Sequence, residues 1–107
     1  MTAWSFLGIA IVLEVAGTFL LKLSDGFAKW HWGVLSIICF MCCFWAFAPA
    51  IKIIPVGIAY AIWAGIGILA ASAIGFLVFG ERLGAFQVAC IAFILAGSVG
   101  LRLTTTA

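Results

Sequence analysis

The chain has 107 residues, 68% of them hydrophobic and 7% charged, with a formal net charge of +2 and a mean hydropathy of +1.43. A soluble domain carries charge on roughly a quarter of its residues, so five basic and three acidic side chains exclude a water-facing globule. So small and scattered a charge also excludes a nucleic-acid partner, and the composition defines an all-α integral membrane protein.

The first of four spans is predicted near residues 3–22. Its N-terminus, Met1-Thr2-Ala3-Trp4, lacks the basic region of a secretory signal, and Glu14 would interrupt an apolar signal core, so the span is expected to be retained. Within "IAIVLEVAGTFLL" (9–21), Glu14 is the lone carboxylate. An ionisable group at the centre of a span costs about 2.5–3.5 kcal/mol on insertion scales and marks a functional site. Ala10, Glu14, Gly17, Thr18 and Leu21 share one helical face, so small residues flank the carboxylate. The span ends in "KLSDGFAKWHW" (22–32), where Ser24-Asp25-Gly26 signals a turn. Trp4, Trp30 and Trp32 are expected at the membrane interface, with His31 beside them.

The second span is predicted near residues 33–51. Phe40, Phe44 and Phe47 align at i, i+4 and i+7, bordered by Cys43. Cys39, Cys42, Cys43 and the later Cys90 lie in apolar runs with no His or acid close in sequence, so they are read as small packing residues, with no metal and no cofactor. The third span, near residues 56–80, follows Pro55, and Tyr60, Trp63 and Gly67 share a face. Gly65 and Gly67 in mid-helix are a candidate hinge whose kink can switch sense. The fourth span, near residues 85–103, carries Ala85, Ala89, Ala92, Ala96 and Gly100 on one stripe, with Cys90 and Gly97 beside it. Small residues let helices associate in lipid, which makes Ala89, Cys90, Ala96, Gly97 and Gly100 the candidate dimer contact.

Short loops make neighbouring helices antiparallel within one four-helix domain. Lys22, Lys29 and Arg82 fall on one side of the membrane and Lys52 and Arg102 on the other. So weak a bias allows insertion both ways, and opposed copies would form an antiparallel, dual-topology homodimer. Lys22 and Arg102 are expected to snorkel from helix ends, and Asp25, Lys52 and Glu81 to be solvated loop charges.

A carboxylate beside aromatic faces suits a lipophilic cation. The acid supplies Coulomb attraction, and each ring face about 0.5–2 kcal/mol. Desolvation disfavours the ionised carboxyl, so a proton or a cation neutralises it. No Ser/His/Asp set, phosphate cradle or zinc motif accompanies these residues, and the chain is not read as an enzyme.

The stretches "LEVAGTFLLKLSDGF" (13–27), "PVGIAYAIWAGIGI" (55–68) and "FGERLGAFQ" (79–87) resemble the small multidrug resistance transporters, in particular their EmrE-like quaternary-ammonium branch, over essentially the whole chain. The resemblance implies proton-coupled export of cations across the bacterial cytoplasmic membrane by an antiparallel homodimer. It makes Glu14 the group that binds proton and substrate alternately, and Ala10, Gly17, Thr18, Phe40, Phe44, Tyr60 and Trp63 residues lining the site. Guanidinium exporters of the family carry Trp three positions after the glutamate, where this chain has Gly17. Phe40 and Cys43 stand where multidrug members often carry Tyr and a small hydroxyl residue. Both make the pocket less polar, which favours quaternary ammonium over guanidinium. Choline, betaine or guanidinium as cargo, and a non-transporting assembly subunit, are the alternatives.

Overall fold

The computed structural model describes residues 2–105 and contains four helices: α1 (Ala3–Leu23), α2 (Trp30–Ala50), α3 (Val56–Phe79) and α4 (Ala85–Thr104). All four are long and apolar enough to cross a membrane. Helices suit that setting because each satisfies its own backbone polar groups.

Local chemistry fixes the ends. The hydroxyl of Thr2 accepts from Ser5 N at 3.1 Å and caps α1. At the other end, Ser24 N donates to Leu20 O at 2.9 Å, while the Ser24 hydroxyl donates to Leu21 O and accepts from Phe27 N. Asp25, Gly26 and Phe27 then follow one another in the left-handed region, and Lys29 N closes the turn on Ser24 O at 2.9 Å. The Phe27 ring comes to rest where a Cβ on Gly33 would stand. With the turn complete by Lys29, Trp30-His31-Trp32 form the first turn of α2. The helix therefore begins three residues before the apolar pattern predicts, because an interfacial His31 lowers hydropathy without breaking a helix.

Pro49 lies in the last turn of α2, and Pro55 precedes α3. Gly80, at φ 68°, ends α3 in the left-handed conformation that glycine adopts freely. Gly84 N donates to Gln87 Oε1 at 2.8 Å at the start of α4.

Helix α1 packs against both α2 and α3, and α4 leans on α3. One core cluster includes Leu7, Ile54, Ala59 and Ile62; another joins Ala10, Cys43 and Ala46. Two serines bond across helices to backbone carbonyls. Ser36 Oγ donates to Gly17 O at 2.8 Å, tying α2 to α1, and Ser98 Oγ donates to Ala61 O at 3.2 Å, tying α4 to α3. Such bonds are worth about 0.6 kcal/mol on average in a bilayer, so close backbone approach supplies the rest. Gly65 provides it for α4, because a Cβ there would run into the Ser98 hydroxyl.

Ser98 is the buried residue of α4 among the described residues. Ala89, Cys90, Ala96, Gly97 and Gly100 are exposed, and a Cβ on Gly97 or Gly100 would meet open space.

Gly65→Val should therefore push α4 off α3 and lower stability by about 1–3 kcal/mol, the range for overpacking, whereas Gly97→Ala should leave the protomer's packing intact. Thermal unfolding in detergent checks the pair; an unchanged Gly65→Val transition contradicts this packing.

Candidate functional site

Glu14 lies near the middle of α1, two turns before Lys22, partly buried between α1 and α3. Its Oε1 accepts from the Thr18 hydroxyl, one turn on, at 3.2 Å. Its Oε2 is fully buried and has no hydrogen-bond partner among the described residues. Gly67 on α3 makes room for that oxygen, since a Cβ there would lie 3.0 Å from it. The carboxylate thus has one oxygen satisfied and the other held open.

The open oxygen borders a cavity of about 270 Å³. Tyr60, Trp63 and Ala64 wall it on α3, with Gly67, Ile68 and Ala71 continuing along the same helix. Trp63 is its aromatic centre. Three rings brace the indole: Phe47 at 4.9 Å between centroids, Tyr60 at 5.6 Å and Phe44 at 6.1 Å, the last two edge-on. Trp63 Nε1 is buried without a hydrogen-bond partner among the described residues, and a buried indole N–H ordinarily has one. An unpaired acceptor on α1 and an unpaired donor on α3 belong to the same site.

The residues singled out from sequence occupy three layers. Glu14, Tyr60, Trp63 and Gly67 border the cavity, and Thr18 holds the acid. Phe44 and Phe47 contact the indole from α2. Ala10 and Cys43 lie fully buried beneath it, packed with Ala46 against Trp63. Gly17 and Phe40 form a separate contact: the Phe40 ring would stand 3.2 Å from a Cβ on Gly17. That ring fills the space an α1 side chain would otherwise take, so Phe40 acts on the site through the α1–α2 spacing. Helix α3 runs unbroken through Gly65 and Gly67; Gly65 accommodates Ser98, and Gly67 accommodates Glu14. Ala64, Ile68 and Ala71 were not singled out, although their i+4 and i+7 relation to Tyr60 and Ala64 would have placed them on the Trp63 side.

Two expectations about charges need correction. Glu81 is not merely a solvated loop charge, and Lys22 does not simply snorkel: Lys22 Nζ lies 3.0 Å from Glu81 Oε2, each side chain about half exposed. The loop after Gly80 turns Glu81 back along α3 toward Gly75, which sequence spacing does not reveal. Arg102, at the other edge, stacks its guanidinium 4.2 Å over the Trp4 ring.

Four apolar spans with a carboxylate beside an aromatic cavity between α1 and α3 fit a membrane transporter. The comparisons make this specific. A family model described as Small Multidrug Resistance protein matches residues 2–94. The chain is 43% identical over 100 residues to the spermidine export protein MdtI of Salmonella paratyphi A, covering 94% of this chain and 90% of that one. It is 42% identical over the same length and shares to the proteins of that name from Salmonella paratyphi B and Salmonella newport. The chain belongs to the small multidrug resistance family. It is a multi-pass protein of the bacterial inner membrane.

Trp63→Ala should weaken binding of a quaternary ammonium ligand by about 0.5–2 kcal/mol, the worth of a cation–π contact. Phe47→Ala, one layer behind the indole, should weaken it less. Calorimetric titration of both variants checks the order, and the reverse order contradicts the assignment of Trp63 to the cavity wall.

Proposed function

We propose that this chain exports quaternary ammonium and other lipophilic cations in exchange for protons, with Glu14 binding the two by turns. The observation that carries this reading is Glu14 Oε2, buried beside the Trp63 cavity with no partner among the described residues. An unpaired buried acceptor costs about 1–3 kcal/mol, and more when charged. A proton removes that penalty, and the charge of an organic cation offsets it. Both cannot occupy one carboxylate, so arrival of one favours departure of the other.

The aromatic walls suit a cation without N–H groups. Guanidinium needs several paired acceptors, and Glu14 is the one carboxylate bordering this cavity. Spermidine is a second reading, favoured by the names of the Salmonella relatives: an ammonium N–H would supply the donor that Oε2 lacks. Choline and betaine use the same aromatic contacts.

The working unit in this proposal is an antiparallel homodimer. The exposed face of α4 with Ala89, Cys90, Ala96, Gly97 and Gly100 makes the contact, and the near-even split of basic residues permits opposed insertion. Opening alternates between the two sides as α3 yields near Gly65 and Gly67. Two glutamates would release two protons per monovalent cation. The one net inward charge then gains about 2.3 kcal/mol per 100 mV, and each proton adds about 1.4 kcal/mol per pH unit. A non-transporting assembly subunit would show no such flux on its own.

The wild-type chain, purified alone and reconstituted in liposomes, should accumulate a tetraalkylammonium ion against its gradient when a proton gradient is imposed. Glu14→Gln, which keeps the shape and removes the charge, should abolish this. Uphill accumulation by Glu14→Gln contradicts the proposal.

A further inference from the structure

A second cavity, of about 200 Å³, continues the first along the seam between α1 and α3, and both are bordered by Ala71. Thr18, Lys22, Phe79 and Glu81 border the far part. On α3 the seam runs over Gly67, Ala71 and Gly75, spaced four residues apart. A Cβ on Gly67 would crowd the Glu14 carboxylate, and one on Gly75 would collide with that of Glu81. Each carboxylate therefore rests on a glycine, and the two glycines are eight residues apart. At about 1.5 Å of rise per residue, the acids are separated by about 12 Å along the seam.

Glu81 already holds an ammonium group. Lys22 Nζ lies 3.0 Å from its Oε2 and 5.8 Å from the centroid of the Phe79 ring. A carboxylate together with an aromatic face is a complete set of contacts for an ammonium ion. Here the occupant is a side chain of the same protein. With both partners about half exposed, the pair is weakly held and open to exchange.

We infer that Glu81 is a second ammonium subsite, filled by Lys22 at rest and taken over by the far end of a linear polyamine whose near ammonium occupies Glu14. The inference rests on the reading of Glu14 as the cation-binding group. A polyamine of spermidine's length spans the two acids when extended. Lys22, on its long flexible stem, then turns its ammonium to the aqueous edge. A compact monovalent cation fills the first cavity alone and leaves the Lys22–Glu81 pair intact. Glu81 thus selects for length and charge, and exchange of monovalent cations does not need it.

The test is calorimetric titration of the purified full chain with spermidine, diaminooctane, diaminopropane and tetraphenylphosphonium, in wild type, Glu81→Gln and Lys22→Met. Loss of one half-exposed ion pair predicts that Glu81→Gln weakens spermidine and diaminooctane by about two- to fivefold, with little change for diaminopropane and tetraphenylphosphonium. Lys22→Met removes the competing ammonium and should strengthen spermidine relative to tetraphenylphosphonium. A pair needed only for packing would give the opposite pattern, with both variants losing spermidine together. That result, an equal loss for all four ligands, an unaltered spermidine affinity in Glu81→Gln, or a wild type that ignores spermidine overturns the subsite. If the wild type binds tetraphenylphosphonium in any of these cases, only the subsite fails. If it binds none of the four, the reading of Glu14 fails with it.

Discussion

The carboxylate of Glu14 is tied to Thr18 through one oxygen and has no donor at the other among the described residues. In water such an arrangement would be of no consequence, because solvent would complete the shell. Between two apolar helices it is an unmet demand, and the surrounding architecture keeps it unmet. Gly67 gives the free oxygen space without offering it a bond, and Trp63 Nε1 on the aromatic wall likewise has no partner among the described residues. A site built this way gains most from a ligand that carries positive charge and an apolar body.

Close approach between helices makes that geometry possible. In lipid, helices gain little from burying apolar surface against one another, and packing of small residues takes over. Ala10, Cys43 and Ala46 set a thin contact between α1 and α2 beneath the indole, and Gly17 admits the Phe40 ring. Gly65 does the same for Ser98 on the other side of α3. The same small residues that hold α1, α2 and α3 together also fix the depth at which Glu14 faces Trp63. The face of α4 left outside this packing is the one the proposed homodimer would use.

Much of this was legible in the sequence, for identifiable reasons. Four apolar runs separated by turn residues define the spans, and one acid in 20 oily residues stands out however the helix is rotated. Helical periodicity placed Tyr60, Trp63 and Gly67 together because they lie on one rigid element. Periodicity gives a face but not a depth, which is why Phe40 could not be told apart from Phe44 and Phe47. The ties made by Ser36 and Ser98 were invisible because each includes a backbone carbonyl of another helix as acceptor, Ser98 sharing its hydroxyl with Ile94 O of its own. The Lys22–Glu81 pair was hidden for a related reason: it depends on the path of the loop after Gly80, which folds Glu81 against Gly75.

The family defines a transporter, and the chemistry proposed for it is competition between proton and cation for one oxygen. That competition is most directly visible as proton release. Purified protein in weakly buffered detergent solution, brought to a pH at which Glu14 retains its proton, should acidify the medium when tetraphenylphosphonium is added, in proportion to the ligand bound, and Glu14→Gln should not. Saturable binding to the wild type with no accompanying protons would contradict the account at its centre.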